Sequence, residues 1–161
     1  MALKVLVTDP SKCDGCGECQ TACSRTHTGV ESAALSRIHV LEAGNGEFYL
    51  PITCQHCESP SCVAVCPEGA IYKDEALGRV MIRSDLCIGC QMCVSACPTG
   101  AMAFHKGRGK AFKCDLCDGN PECVRACEPK AVDYVDAYHL QYPRMRQAAS
   151  RFCGMAQKKA A

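Results

Sequence analysis

Cysteine is the residue type with the most regular spacing in this chain. Of its 17 cysteines, all but Cys153 fall into four groups of four. The groups are Cys13-x2-Cys16-x2-Cys19-x3-Cys23, Cys54-x2-Cys57-x4-Cys62-x3-Cys66-Pro67, Cys87-x2-Cys90-x2-Cys93-x3-Cys97-Pro98 and Cys114-x2-Cys117-x5-Cys123-x3-Cys127. Three closely spaced thiolates can surround one metal centre from a single loop, whereas the cysteine after x3 lies about one helical turn further on. The pattern therefore indicates a repeated metal-binding loop.

Three chemistries use cysteines at this density: disulfide bonds, structural zinc and iron–sulfur clusters. Disulfide scaffolds belong to secreted proteins, and the N-terminal residues show no secretory or twin-arginine signal. Zinc sites usually join two cysteine pairs across a longer loop. Group three instead matches in full the C-x2-C-x2-C-x3-C-P run of iron–sulfur proteins. The sequence thus predicts four [4Fe–4S] clusters, with zinc and disulfides as remote alternatives.

The composition suggests that metal binding contributes much of the stability. The apolar fraction of 48% includes the cysteines, and the chain has 13 glycines and 8 prolines. Its formal net charge is +1, but each oxidised cluster with four thiolates adds about −2. The basic residues then offset cluster charge and do not indicate nucleic-acid binding. No apolar run is long enough to span a membrane, so we expect a cytoplasmic protein.

The segments between the cysteines predict short helices and strands, an α+β class. Groups two and three each end in Cys-Pro-x-Gly-Ala, which is typical of a short helix stopped before a strand. Residues 79–82 predict the return strand of a hairpin after a turn at 76–78. Residues 24–53 are predicted as a β-hairpin insertion, with its turn at Gly44-Asn45-Gly46. Residues 136–161 form a basic tail that could serve as a docking arm.

From about Asp9 to Val135 the sequence resembles the four-cluster iron–sulfur subunits of the dimethyl sulfoxide reductase type. Related small subunits pair with formate dehydrogenases, carbon monoxide dehydrogenases, hydrogenases and tungsten aldehyde oxidoreductases. The resemblance rests on the motifs Cys13-Asp14-Gly15-Cys16, Cys54-Gln55-His56-Cys57-Glu58-Ser59-Pro60-Ser61-Cys62, Cys87-Ile88-Gly89-Cys90 and Lys113-Cys114-Asp115-Leu116-Cys117.

The resemblance implies a nested pairing of the groups, in which one ferredoxin-like unit (residues 54–104) is inserted into another (residues 1–23 and 105–135). The implied ligands are Cys13, Cys16, Cys19 and Cys127 for site 1; Cys114, Cys117, Cys123 and Cys23 for site 2; Cys54, Cys57, Cys62 and Cys97 for site 3; and Cys87, Cys90, Cys93 and Cys66 for site 4. The sequence itself supports the number of clusters, while the pairing comes from the resemblance.

No nucleotide-binding motif or nucleophile constellation is present in the sequence, so we expect an electron-transfer subunit with no catalytic site of its own. The favoured partner is a tungsten or molybdenum pterin enzyme that oxidises an aldehyde or formate, with a second electron carrier or subunit at the other end. The alternatives are a free polyferredoxin or a subunit of a hydrogenase or carbon monoxide dehydrogenase. A weaker hypothesis is head-to-tail self-assembly.

Three further features have two interpretations each. His56 is either a packing residue that shapes its loop or a hydrogen-bond donor to cluster sulfur, and the first is favoured. The basic run of His105, Lys106, Arg108, Lys110 and Lys113 is either a solvated loop or a screen for cluster charge and a docking site. Cys153 is either a surface or interface cysteine or a further ligand or reactive thiol, and the first is favoured.

Overall fold

The structure, a computed structural model, describes residues 3–138. In that part of the chain, eight short strands form four two-stranded antiparallel ribbons, and four helices lie between them. The strands are β1 (Lys4–Thr8), β2 (Ile38–Ala43), β3 (Phe48–Thr53), β4 (Ile71–Asp74), β5 (Arg79–Ile82), β6 (Ala103–His105), β7 (Lys110–Phe112) and β8 (Val132–Asp136). The helices are α1 (Glu18–Thr28), α2 (Ser61–Ala64), α3 (Met92–Ser95) and α4 (Glu122–Arg125). The predicted α+β class is confirmed.

The outermost strands of the described chain pair with each other. β1 lies antiparallel to β8, with Lys4 opposite Asp136 and Thr8 opposite Val132. The other ribbons each pair two consecutive strands. In addition, α1 contacts α4, and α2 contacts α3. The helices of cysteine groups one and four therefore lie together, as do those of groups two and three.

Helix α1 extends into the segment that was predicted as a β-hairpin insertion. It extends through Cys23 to Thr28, whereas α2, α3 and α4 have four residues each. Groups two and three have proline directly after their fourth cysteine, which prevents further helix, but group one has Ser24 there. The buried Ser24 hydroxyl donates to the carbonyl of Thr21 and accepts from the backbone N–H of Ser32. The first residues of the predicted 24–53 insertion are thus helical.

Two hairpins lie where the alternation of residues indicated strands. β2 and β3 pair from Ile38 opposite Thr53 to Ala43 opposite Phe48. Their connection runs through Gly44, Asn45 and Gly46, all with positive φ, a conformation that glycine and asparagine adopt readily. β4 and β5 pair across the predicted turn, with Ile71 opposite Ile82.

Cysteine side chains form a large part of the buried interior. In one core cluster Leu6, Ile38, Leu116, Ala131 and Val132 pack with five cysteines, namely Cys19, Cys23, Cys114, Cys123 and Cys127. A second core cluster centres on Ile71, Val80, Met102, Ala111 and Cys93. Sulfur atoms thus occupy positions that leucine or isoleucine would fill in a conventional domain.

A buried arginine joins the two halves of the described chain. Arg79 of β5 is 9% exposed and donates from Nε to Asp74 Oδ2 at 2.9 Å. Its Nη1 contacts Asp118 Oδ1 at 2.7 Å and donates to the Asp115 carbonyl at 2.7 Å. Because Asp115 and Asp118 follow Cys114, these contacts connect the β4–β5 ribbon to the loop of cysteine group four.

Apart from residues 136–138, the predicted basic tail lies outside the described residues, and so does Cys153. Within residues 3–138, no helix has the length and apolar character needed to cross a membrane.

Replacing Arg79 should destabilise the protein measurably. Arg79→Met removes three charge-assisted contacts, and we expect a loss of about 1–3 kcal/mol in the free energy of unfolding. The melting temperature, followed by circular dichroism under anaerobic conditions, should fall by about 2–4 °C for each kcal/mol. Lys12→Met is the control, because the Lys12–Asp9 pair is solvent-exposed and should contribute little. Equal melting temperatures for both variants would contradict the assigned role.

Candidate iron–sulfur sites

Each cysteine loop opens with the same backbone turn. The residue just before the second cysteine of each group has a positive φ: +80° at Gly15, +46° at His56, +76° at Gly89 and +62° at Leu116. At Gly15 an added Cβ would lie 2.6 Å from the ring of Tyr49, and at Gly89 it would lie 2.3 Å from the Gly109 carbonyl oxygen. Glycine is therefore required at those two positions by both conformation and space.

His56 and Leu116 adopt the same conformation without being glycine, which costs roughly 1–2 kcal/mol per residue. Neighbouring contacts hold both in place. The Nδ1 atom of His56 accepts a hydrogen bond from the Val80 backbone N–H at 3.0 Å. Leu116 is 2% exposed and lies in the larger core cluster.

The same turn directs backbone N–H groups toward sulfur. His56 N lies 3.5 Å from Cys54 Sγ, and Leu116 N lies 3.4 Å from Cys114 Sγ. N–H donors to ligand sulfur stabilise negative charge there and are one determinant of cluster potential. The turn thus positions the thiols and also provides donors to them.

Two cavities are each lined by four cysteines, three from one group and one from another. Cys54, Cys57, Cys62 and Cys97 line the first. Cys66, Cys87, Cys90 and Cys93 line the second. The structure thus brings together the cysteines named for site 3 and those named for site 4.

The remaining cysteines assemble around α1 and α4. Burial, together with the charges of Cys127, Cys13 and Cys16, raises the pKa of Cys19 to about 12. For Cys123, burial also raises the pKa, with further contributions from Cys114, Cys23 and Cys117. The three cysteines that raise the pKa of Cys19 are the other members of the set named site 1. Cys114, Cys23 and Cys117, which raise the pKa of Cys123, are the other members of the set named site 2.

Cysteines of different sets lie close to one another. Among the neighbours that raise the pKa of Cys123 is Cys19, which links site 2 to site 1. Burial raises the pKa of Cys114 to about 11, and the nearby charge of Cys54 adds to this, linking site 2 to site 3. Burial and then Cys87 raise the pKa of Cys93, and Cys62 also contributes, linking site 4 to site 3. In the packing, cysteines of sites 1 and 2 share the larger core cluster with Cys54 against it, and cysteines of sites 3 and 4 share the second cluster.

An ion-pair network borders site 2. Arg37 contacts Asp115, and His27 Nε2 lies 3.5 Å from Asp115 and 3.5 Å from Cys117 Sγ. Burial would raise the pKa of Asp115, but Arg37 holds it below its ordinary value. The backbone N–H of Arg37 also donates to Cys23 Sγ at 3.3 Å. These residues orient the thiols of the site from outside it.

His56 has the loop-shaping role favoured from the sequence. Burial, and then the charge of Lys113, lower the pKa of its ring to about 3, so the ring is neutral and its Nδ1 can accept from Val80. It is the backbone of His56, and not its ring, that contacts cysteine sulfur.

The residues of the basic run that precedes group four differ in solvent exposure. Lys106 and Arg108 are exposed, whereas Lys110 is half-buried and donates to the Cys87 carbonyl. Lys113 is 4% exposed and lines the site 3 cavity. The exposed residues agree with a solvated loop, whereas Lys110 and Lys113 pack against the cysteine loops.

The donor set of these sites fits iron–sulfur clusters. Each set has four thiols, and three of them lie on one loop with backbone N–H groups nearby. Disulfide pairing is not used among the cysteines of the described residues, which are all free. When bound, a [4Fe–4S] cluster accepts and releases a single electron.

Comparison with known proteins places the chain in the 4Fe-4S dicluster domain family, which matches residues 46–137, and the chain belongs to that family. A 4Fe-4S binding domain also matches residues 10–29. The predicted [4Fe–4S] cofactor and the predicted resemblance to iron–sulfur subunits are thereby confirmed.

Curated relatives include subunits of several oxidoreductases. The chain is 39% identical over 117 residues to the NADH-dependent phenylglyoxylate dehydrogenase subunit beta of Aromatoleum evansii, covering 71% of this chain and 26% of that protein. It is 37% identical over 119 residues to the B subunit of the anaerobic dimethyl sulfoxide reductase of Escherichia coli (strain K12), covering 66% and 58%. The Escherichia coli (strain K12) protein NrfC is 38% identical over 117 residues, covering 68% and 52%. The chain thus spans 26–58% of the length of these relatives.

Solved structures with a similar fold include the active-site complex BamBC of benzoyl coenzyme A reductase. One polypeptide of the complex as isolated aligns with a TM-score of 0.50 and 23% identity, covering 100% of this chain and 99% of that polypeptide. One polypeptide of the complex with 1,5-dienoyl-CoA aligns with a TM-score of 0.50 and 26% identity, covering 84% and 76%.

Removal of iron should unfold the protein. Half of the larger core cluster is cysteine, and the ribbons are too short to be stable alone. We expect anaerobic chelation to abolish cooperative thermal unfolding measured by circular dichroism, and reconstitution with iron and sulfide to restore it. A compact apo-protein that still unfolds cooperatively would contradict this prediction.

Proposed function

We propose that this chain is an electron-transfer subunit with four [4Fe–4S] clusters, held by the cysteines of sites 1 to 4, and that it has no catalytic site of its own. The packing of the four thiol sets against one another carries this proposal. Cysteines of sites 1 and 2 share the larger core cluster, Cys54 of site 3 packs against that cluster, and cysteines of sites 3 and 4 share the second one. Such packing suits a relay that conducts electrons through the molecule.

Solvent exposure at the two terminal sites supports the same proposal. Cys16 of site 1 and Cys90 of site 4 are exposed, while the other cysteines of the described residues are buried or half-buried. Electrons would therefore enter at one terminal site and leave at the other. Three of the four cysteines of site 2 are buried, and the four cysteines of site 3 are half-buried.

Apolar side chains at each end suit docking of a protein partner. Around Cys90, the side chains of Ile88, Met92 and Leu86 are 62%, 50% and 41% exposed. At the other end, Tyr49 of β3 covers Gly15 of the site 1 loop. The same hairpin exposes Leu41, Phe48 and Leu50. Exposed apolar groups of this size are typical of interaction surfaces. A free electron carrier would need neither of these two surfaces.

The proposed partners are a catalytic redox subunit at one end and a second carrier or subunit at the other. Named relatives that are subunits of oxidoreductases support this general assignment. The finer proposal is a tungsten or molybdenum pterin enzyme that oxidises an aldehyde or formate. A hydrogenase or carbon monoxide dehydrogenase partner, or a free polyferredoxin, is the alternative.

The nested ligand sets can be tested with two double variants matched in the number of cysteines removed. In Cys66→Ala/Cys90→Ala both changes fall in site 4, so about three of four clusters should remain. In Cys57→Ala/Cys66→Ala both changes fall in one sequence group but in sites 3 and 4, so about two should remain. Iron analysis and electron paramagnetic resonance of the reduced proteins measure this.

Cys153→Ala is the control and should leave bound iron at the wild-type level of about 16 atoms per chain. Equal cluster loss in the two double variants would contradict the nested pairing. A wild-type protein with fewer than four clusters would contradict the proposed ligand sets.

The partner proposal predicts the composition of the native complex. Anaerobic purification through a tag on this chain should yield a stable complex with a larger redox subunit that contains tungsten or molybdenum, detected by elemental analysis. Two double variants place charges on the two apolar surfaces: Ile88→Glu/Met92→Glu near Cys90, and Leu41→Glu/Leu50→Glu on the β2–β3 hairpin. Each variant should reduce the yield of one bound subunit without reducing the iron content of this chain. Isolation of this chain alone with all clusters bound would support the free polyferredoxin instead.

A further inference from the structure

Lys113 is a buried cation directly before the first cysteine of group four. Its residue is 4% exposed, and among residues 3–138 only Arg79 is a comparably buried charged residue. The Lys113 Nζ atom donates to the carbonyl of Cys114 at 2.8 Å and to the carbonyl of Val80. It therefore links the loop of group four to strand β5.

The charge of Lys113 has no carboxylate partner within the described part of the chain. Arg79, by contrast, pairs with Asp74 and Asp118. Two carbonyl groups solvate an ammonium group but do not neutralise it, and a buried charge without compensation costs several kcal/mol. Negative charge is therefore expected from groups bound near Lys113.

Two proposed cluster sites lie beside this lysine. Lys113 lines the cavity formed by the four cysteines of site 3, and it adjoins Cys114 of site 2. One ammonium group thus lies beside ligands of both inner sites.

We propose that Lys113 is an electrostatic positioning residue shared by sites 2 and 3, where its fixed positive charge is compensated by the two anionic clusters and raises the reduction potential of both. This inference rests on the proposed ligand sets. Each cluster gains one electron and one unit of negative charge on reduction, and no proton is transferred. A nearby fixed cation stabilises the reduced form more than the oxidised form, and low polarity strengthens the effect.

This role predicts that the reduction potentials of sites 2 and 3, at the junction of the two proposed ferredoxin-like units, are higher than they would be without the charge of Lys113. Lys106 belongs to the same basic run but is exposed, so water and salt screen its charge. Lys106→Met is therefore a matched control for Lys113→Met, and Lys113→Arg keeps the charge.

The experiment is a potentiometric titration of the anaerobically purified full-length protein, monitored by electron paramagnetic resonance. In Lys113→Met, two of the four one-electron steps should shift to lower potential by at least a tenfold change in equilibrium constant, about 59 mV. The other two steps should shift less. Lys113→Arg should retain most of the wild-type potentials, and Lys106→Met should leave all four unchanged.

The possible results separate this proposal from the ligand assignment on which it rests. Fewer than four clusters in the wild-type protein would overturn the ligand sets. Four clusters with unchanged potentials in Lys113→Met would overturn only the role of Lys113, as would an equal shift in Lys106→Met. Loss of iron from Lys113→Met but not from Lys113→Arg would support charge compensation. Loss from both would show a requirement for lysine shape and overturn the proposal.

Discussion

Burial of cysteine sulfur is the constraint on which the rest of this structure depends. Cys19, Cys114 and Cys123 are almost inaccessible to water, and burial raises the pKa of each thiol. These groups cannot carry a negative charge in the interior unless a cation compensates it, and iron provides that cation while joining segments that lie far apart in the sequence. The same sulfur atoms also supply much of the apolar interior. Short ribbons and one-turn helices are sufficient under this constraint, because the elements serve to place thiols and do not need to form a large core themselves.

The nested topology follows from joining the outermost strands. The β1–β8 ribbon and the contact between α1 and α4 bring residues near both ends of the described chain together, and groups two and three are folded between them. In a series of separate two-cluster units, each unit would have its own surface on all sides. Here the segment that holds groups two and three is attached through Arg79 and Lys113 to the loop of group four, while Cys16 of group one and Cys90 of group three remain exposed.

The sequence predicted the features that depend on neighbouring residues. The cysteine groups, the helices before Cys-Pro and the turns at 44–46 and 76–78 follow from local spacing and from the conformations of proline and glycine. The length of α1 was missed, although Ser24 in place of proline was visible in the sequence. Other features depend on contacts across the fold. The pairing of β1 with β8 joins strands more than a hundred residues apart, and the left-handed turn at His56 depends on the distant Val80 N–H. Lys106 and Lys113 are chemically identical members of one basic run, and tertiary packing makes one exposed and the other buried.

The two buried cations have different electrostatic effects because their partners differ. The charge of Arg79 is balanced by the carboxylates of Asp74 and Asp118, so its field at a distance is weak and its main effect is to hold two segments together. Among residues 3–138, the charge of Lys113 is met by carbonyl dipoles and by no carboxylate, so its field extends to neighbouring groups, where low polarity leaves it poorly screened. An exposed cation at the end of the relay would act mainly on partner docking and would lose its effect with salt. Lys113 is buried where the loop of group four meets β5, so salt screens its charge much less than that of an exposed cation. That contact exists because groups two and three are folded between the paired outermost strands, and this gives the arrangement a physical consequence that two separate units would lack.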